Sequence, residues 1–404
     1  MIVLTGATGF VGSQLVRRLG AQADLLLVSR DREMAQRRYP GAAVCDYATL
    51  ADHDLAGAVF VHLAARNNDR PGTLAEFRED NVEGLLKVAA EARAGGAARF
   101  VNLCSTHALD ARGTDFYGLS KKEGARAIAA LWPEGAVNLY VPAIYGDGFQ
   151  GRLAALNRLP NAMKPLALGV LRQVKPMISV DHLLEILIKL ATSSETSPDP
   201  WRNEQYAADP VNDVGLFPAV KRMIDIFAAL AVIVLLGWAM ALIALYIRVD
   251  SKGPAIFAQR RVGREGRVFI CYKFRTMAVG TVHAATHAVS ASAVTAAGRF
   301  LRRTKLDELP QVVNVLKNEM SLVGPRPCLP SQTELIVCRR NRGILQLKPG
   351  ITGLAQIGDI DMSDPGRLAA WDDRYRAFRT LLGDILILVR TVLGGGSGDR
   401  VVSS

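Results

Sequence analysis

Short runs of Val, Leu, Ile and Phe alternate with longer Ala/Leu/Glu/Arg-rich stretches through the first half of the chain. The apolar runs fall at residues 2–4, 25–28, 59–62, 100–103 and 137–141, and one last strand is expected at 205–209. Strands covered on both faces read as continuous apolar runs, and their alternation with helical stretches predicts a parallel sheet flanked by helices. The expectation is a Rossmann-like, doubly wound α/β domain over residues 1–213. Because residues 1–4 already read as its first strand, no leader is expected before it.

The pattern then changes. Residues 192–200 are rich in Ser, Thr and Pro, a linker is expected at 211–218, and Ile226 to Ile247 run without a single charged residue. A run of that length suits a bilayer element. Lys221 and Arg222 precede it and Arg248, Lys252, Arg260, Arg261 and Arg264 follow. Positive charge marks the cytoplasmic side, so the expectation is a re-entrant helix pair within 214–250 that breaks at Gly237 and leaves by the face it entered. Residues 251–404 form a second, basic domain, with a loop at 278–297. The run 385–393 suits either the membrane interface or a core.

Charge adds one constraint. Over 404 residues, 49 basic side chains outnumber 38 acidic ones, giving +11 and calling for anionic partners. No nucleic-acid module is visible, so lipid headgroups and nucleotide phosphates account for the excess. Cys45, Cys104, Cys271, Cys328 and Cys338 are odd in number and lack CxxC spacing, which fits a reducing compartment. His283 and His287 have helical spacing but no third ligand nearby, so a surface role is expected.

Candidate chemistry begins at Gly6, Gly9 and Gly12, placed between a strand and a helical run. Glycines there permit a tight turn, and the following helix N-terminus offers N–H groups and a positive dipole end to a pyrophosphate. Tyr117 stands four residues before Lys121, downstream of Ser105 and Thr106. A nearby ammonium would lower the tyrosine pKa enough for proton transfer at neutral pH. With Asp46, the segment from His62 to Ala65 that includes Ala64, and Asn81, these residues resemble an extended short-chain dehydrogenase/reductase of the NAD-dependent epimerase/dehydratase type. The resemblance implies Tyr117 and Lys121 as catalytic groups, Ser105 or Thr106 on the substrate oxygen, and cofactor contacts from the three glycines, Arg30, Asp46, Ala64 and Asn81. Ser29 and Arg30 suit a 2′-phosphate, favouring NADP over NAD. His107 and Ala108 stand where the dehydratases of this family carry an Asp-Glu pair. A 4-keto reductase acting on a UDP-4-keto-6-deoxy-sugar is therefore expected, with a 4-epimerase or a non-catalytic nucleotide-binding module as alternatives.

The blocks KRMID (221–225), RVGR (261–264), YKFRTM (272–277), LDELPQ (306–311), MSLVGPRP (320–327) and KPGITGLAQ (348–356) resemble the bacterial monotopic phosphoglycosyl transferases. Asp307 and Glu308 have Arg299, Arg302, Arg303 and Lys305 close in sequence, cations that would keep the carboxylates ionised and attract a diphosphate. A carboxylate nucleophile can split one displacement into two. The resemblance implies that Asp307 attacks the sugar-bearing phosphate of a UDP-sugar, releases UMP, and passes the phosphosugar to polyprenol phosphate. Asp307 and Glu308 would hold Mg²⁺, and Arg302, Arg326, Lys273 and Arg275 would contact phosphate. The whole reads as a bifunctional enzyme at the cytoplasmic face of a bacterial inner membrane, with membrane lipid as a partner and a homodimer left open.

Overall fold

The computed structural model describes residues 1–19, 24–69, 71–110, 115–149, 151–192, 203–210, 216–279 and 294–394. The linkers expected at 192–200 and 211–218 and the loop at 278–297, with His283 and His287, lie wholly or largely outside them. The chain divides into two compact units, Met1–Asp209 and Pro210–Ser404.

The first unit runs β1 (Ile2–Thr5), α1 (Phe10–Leu19), β2 (Leu25–Val28), α2 (Arg32–Arg38), β3 (Ala43–Cys45), β4 (Val59–His62), α3 (Leu74–Arg78), α4 (Gly84–Ala94), β5 (Arg99–Ser105) and α5 (Phe116–Leu131). It continues through β6 (Ala136–Val141), β7 (Ala143–Tyr145), α6 (Lys164–Val174), β8 (Met177–Ser179), α7 (Val180–Thr192) and β9 (Glu204–Tyr206). Seven strands form one parallel sheet in the order β3-β2-β1-β4-β5-β6-β9, and β7 pairs with β8 beside it.

Successive strand residues face opposite sides, so each run feeds two cores. Leu4, Leu27, Val61 and Leu139 meet Leu15 of α1 and Leu183 of α7 on one face. Val3, Leu26, Phe60 and Phe100 meet Leu85 and Val88 of α4 and Ile128 of α5 on the other. Burying each such side chain contributes about 1.5–3 kcal/mol. Strand order reverses between β1 and β4, and the crevice beyond their carboxyl ends is where doubly wound sheets bind ligands. At the far edge, buried Asp209 accepts from Ser179 N at 3.0 Å, Ser179 Oγ at 3.2 Å, Arg172 Nη2 at 2.6 Å and the Tyr145 hydroxyl. It ties α6, β7 and β8 together.

The second unit opens with α8 (Leu216–Asp250), followed by the hairpin β10 (Ile256–Val262) and β11 (Val268–Phe274). Then come α9 (Ala296–Thr304), a 3₁₀ turn at Leu306–Gln311, α10 (Val312–Leu316), β12 (Ser321–Val323), α11 (Thr333–Asn341), β13 (Gly350–Thr352), α12 (Leu354–Ile357), α13 (Pro365–Phe378) and α14 (Leu381–Val392). Here α8 is, among the described residues, the one helix long and apolar enough to cross a membrane.

The expected helix pair is one helix, with no break at Gly237. Glycine keeps its N–H and so leaves the ladder intact, whereas proline would remove a donor and force a break. Both halves of α8 nevertheless pack on the same soluble body. Ile224, Ala228, Ala229 and Val232 join Val312, Val315, Met320 and Tyr375, while Met240, Ile243, Ala244 and Ile247 join Phe274, Ala297 and Leu301. Between them Val234, Leu235 and Trp238 are 77%, 67% and 68% exposed. The Trp238 indole N–H donates to the Leu235 carbonyl at 2.9 Å. In α14, Ile387 and Leu388 of the 385–393 run enter the core, while Leu386, Val389 and Val392 face outward.

Candidate active sites

In the second unit, the turn Leu306–Gln311 follows α9 through Lys305, whose φ of 61° swings the chain into a left-handed kink. That kink sets buried Asp307 and partly buried Glu308 at the start of the turn. Glu308 Oε1 accepts from Lys273 Nζ at 2.8 Å and from Arg326 Nη2 at 3.1 Å. The two cations come from β11 and from the segment after β12. Lys273, Glu308 and Arg326, with Arg261, Cys271, Gln311, Pro327, Gly350 and Ile351, line a small open cleft.

Two of the cations nearest in sequence bond elsewhere. Arg302 Nε donates to Thr276 Oγ1 at 3.0 Å, and its Nη1 is buried without a hydrogen-bond partner among the described residues. Arg299 Nη1 bonds the Val294 carbonyl at 3.2 Å. Arg275 corrects the sequence reading. Rather than facing the acid pair, its guanidinium donates to Lys252 O and Ser251 O, each at 2.7 Å, and to Ile247 O at 3.3 Å. It caps the C-terminal end of α8, where carbonyls without helical partners and the negative dipole end favour a cation.

Sequence reasoning missed how Arg326 is held. The Pro325 carbonyl accepts from Gly350 N, that of Arg326 from Arg339 Nη1 at 2.8 Å, that of Pro327 from Arg261 Nη1 at 2.9 Å, and that of Cys328 from Val262 N. Arg339 is itself fixed by Asp372 through two bonds of 2.9 and 2.7 Å, a pair 3% exposed on both sides. Four successive pinned carbonyls leave this backbone little freedom. Arg261 lay in a motif block, but nothing in the sequence linked Arg339 to Arg326.

Among the described residues no group of three or more His, Cys, Asp and Glu side chains comes together as a metal site. The acid pair remains chemically suited to Mg²⁺, a hard cation that takes one or two carboxylates alongside substrate phosphates.

In the first unit, the glycine turn sits at the carboxyl end of β1. Gly6 has φ of +73°, and a Cβ there would stand 2.8 Å from Ala64 N, while one on Gly12 would stand 2.2 Å from the Gly6 carbonyl. Only glycine permits that turn to close on the N-terminus of α1 and on Ala64 after β4. Gly9 N closes the turn onto Gly6 O at 3.1 Å. The shape fits a dinucleotide pyrophosphate. At the end of β2, Arg30 is exposed and pairs with Asp80 at 2.9 Å. Asp46 Oδ1 accepts from Ala48 N, Thr49 N and Thr49 Oγ1, which hold its carboxyl below the usual range.

Asn81 is a second correction. It is buried in a π-turn at Glu79–Glu83, its amide accepting from Arg66 N and donating to Arg66 O and Ser120 Oγ. It positions the loop after β4 against α5 instead of presenting a side chain to a cofactor.

Tyr117 and Lys121 lie one turn apart on α5. The Lys121 ammonium donates to the Leu103 carbonyl at 2.9 Å, and burial lowers its pKa. Burial pushes the Tyr117 phenol up to about 12, with a hydrogen bond to Ser105 pulling the other way. The lowering expected from Lys121 is not found: burial sets the direction of the shift, and the opposing contribution comes from Ser105. Ser105 also caps the short helix Thr106–Leu109 by accepting from His107 N at 3.2 Å.

Comparison with known proteins separates the two units in the same way. Residues 217–395 match the family model described as bacterial sugar transferase, and residues 2–202 match that described as NAD dependent epimerase/dehydratase family. The exopolysaccharide production protein ExoY of Rhizobium meliloti is 32% identical over 223 residues, covering 51% of this chain and 96% of that protein. The undecaprenyl-phosphate galactose phosphotransferase of Salmonella typhimurium is 36% identical over 190 residues, 43% of this chain and 39% of its own length. The chain thus spans about two fifths of that relative, and 41% of the galactosyl transferase CpsE of Streptococcus agalactiae. Among solved structures, the enzyme WbmG of Bordetella bronchiseptica in complex with NAD and UDP is 18% identical with a TM-score of 0.39, covering 51% of this chain and 72% of that one.

Proposed function

Because the chain belongs to the bacterial sugar transferase family, we propose that its second unit moves a phosphosugar from a UDP-sugar to polyprenol phosphate and releases UMP. The observation that carries this reading is Glu308, next in sequence to Asp307, clamped by Lys273 and Arg326 in a cleft lined by β11 and the turn. Asp307 is the nucleophile. Its carboxylate oxygen bonds to the sugar-bearing phosphorus, the bond from that phosphorus to the bridging oxygen breaks, and UMP leaves with the electron pair. The polyprenol phosphate oxygen then attacks the same phosphorus and returns the carboxylate. Lys273 and Arg326 fix Glu308 and place positive charge beside the diphosphate, and the unpartnered Arg302 Nη1 supplies a further donor. Asp307 and Glu308 would hold Mg²⁺, which when bound neutralises charge building on the phosphates.

The first unit is an NADP-dependent oxidoreductase that reduces the 4-keto group of a UDP-4-keto-6-deoxy-sugar. Its support is the glycine turn at Gly6, Gly9 and Gly12 together with the match to the NAD dependent epimerase/dehydratase family. A bound nicotinamide would supply the hydride. Arg30 stands at the end of β2 to meet a 2′-phosphate, Ser105 holds the sugar oxygen, and Tyr117 delivers its phenolic proton to that oxygen. A phenol near 12 keeps its proton until charge develops on the substrate, which suits a donor. The helix α8 lies along the cytoplasmic leaflet of the bacterial inner membrane, its exposed middle in lipid and both ends packed on one body.

The test is UMP release by the purified chain in nanodiscs with a UDP-4-keto-6-deoxy-N-acetylhexosamine, polyprenol phosphate and Mg²⁺, with and without NADPH. Release that needs Asp307 and rises with NADPH supports both halves. Release that needs Asp307 and ignores NADPH with every sugar overturns the reductase. No release with any UDP-sugar overturns the transferase.

A further inference from the structure

The helix α6 is seated by one face only. Leu168 and Leu171 pack against the cluster of Tyr145, Phe149, Leu153 and Met177, and Arg172 is drawn inward to Asp209 and Tyr145. That seating turns the other face outward. Met163, just ahead of the helix, and Leu166, Val170 and Val174 on it are 51%, 70%, 57% and 48% exposed. Spacings of three and four residues align them on a single stripe. No residue of the helix is fully buried.

The charge around the stripe indicates what covers it. From Gly148 to Val180 there is no Asp or Glu, while Arg158, Lys164 and Lys175 fall within that stretch beside Arg172, whose charge is taken up by Asp209. Arg158 and Lys175 are exposed. A second copy of the chain would meet this patch with the same patch across a two-fold axis, setting base against base. Anionic headgroups with acyl chains beneath them complement both features, an apolar stripe for the acyl boundary and bases for the phosphates. We propose that α6 is an interfacial helix that lays Met163, Leu166, Val170 and Val174 onto an anionic bilayer surface. The proposal rests on the reading of α8 as a membrane element. With α8 inserted, docking of α6 is intramolecular, so a stripe too small to bind a membrane alone suffices.

The test uses nitroxides on single cysteines at Leu166, Val170 and Val174 of the full chain in nanodiscs, in a Cys338→Ser background, the other four cysteines being buried. A label at Val234 of α8 serves as the lipid reference and one at Glu33 of α2 as the water reference. In discs containing phosphatidylglycerol, the three α6 labels should gain access to oxygen and lose access to a water-soluble nickel complex. Replacing Arg158, Lys164 and Lys175 by Gln should weaken docking roughly fivefold per base. Labels on α6 that stay open to nickel like Glu33, while Val234 reads as lipid, overturn the docking and leave the α8 reading intact. A Val234 label open to nickel overturns the α8 reading first and the docking with it. Shielding from both reagents with spin–spin broadening shows a second copy on the stripe and also overturns the proposal.

Discussion

Lys273 reaches Glu308 at 2.8 Å across 35 residues of sequence, and the same carboxylate oxygen receives Arg326 from 18 residues beyond it. Two cations on one oxygen make Glu308 the fixed point of the cleft. Replacing Lys273 by Met removes one cation from that oxygen while Arg326 stays, so UMP release should fall sharply with little change in folding. The Lys273→Met, Glu308→Gln double variant should lose less than the sum of the two single losses, since both act through one pair. Additive losses measured by initial rates would show that the residues act separately.

Arg275 gives the opposite expectation. Its guanidinium holds carbonyls at the end of α8, so Arg275→Ala should lower the stability of the second unit by about 1–3 kcal/mol through unsatisfied buried acceptors. The KM for UDP-sugar measured on the folded fraction should not move. A stable variant with a raised KM would restore the phosphate contact expected from sequence.

The Arg339–Asp372 pair is buried on both sides, and removing one partner strands the other charge. Arg339→Met should destabilise by about 3–5 kcal/mol. Adding Asp372→Leu should recover most of that stability, as followed by chemical denaturation. Transfer activity should stay low in the double variant, because the Arg326 carbonyl still lacks its donor. Recovery of both together would reduce the pair to a structural role.

His62 predicts a pH signature for the first unit. Burial lowers its pKa to about 3 from 6.5, while Thr5 Oγ1 lies 3.0 Å from Nδ1 in a neutral arrangement. The folded state therefore binds fewer protons than the unfolded state between those values. Stability is whole above 6.5 and is lost as pH falls towards 3, at up to about 1.4 kcal/mol per pH unit. Melting of the first unit followed from pH 8 to pH 5 should show this slope in the parent chain, and His62→Asn should flatten it. An unchanged slope would place the acid sensitivity elsewhere.

Cofactor choice can be read at Arg30. Exposed at the end of β2, it pairs with Asp80. Arg30→Ala should lose NADP affinity about tenfold, the scale of one hydrogen bond to a charged group, and leave NAD binding nearly unchanged. Equal losses for both dinucleotides, measured by titration, would remove the 2′-phosphate assignment.

What the sequence made legible was local. The glycine turn, the alternation that became the seven-strand sheet and the adjacent acids Asp307 and Glu308 each depend on neighbours a few residues away. The contacts that organise the sites span longer distances. Arg275 reads like any other base in the block 272–277 until the end of α8 is seen beside it, and Asn81 reads as a cofactor contact until the π-turn buries it. The expected lowering of the Tyr117 pKa assumed that proximity decides, whereas desolvation of both Tyr117 and Lys121 decides instead. The break at Gly237 failed for a related reason, since glycine permits a bend without removing a backbone donor.

Asp209 also determines where the two halves can be parted. The family match to the first unit ends at residue 202, yet β9 follows at Glu204–Tyr206, and Asp209 fastens Tyr145, Arg172 and Ser179. A fragment cut at the end of the match would shed its edge strand and strand the Arg172 guanidinium without its counter-ion. The serviceable joint is the stretch between Asp209 and the start of α8. Any exchange of one sugar-processing module for another, by evolution or by hand, is least disruptive there.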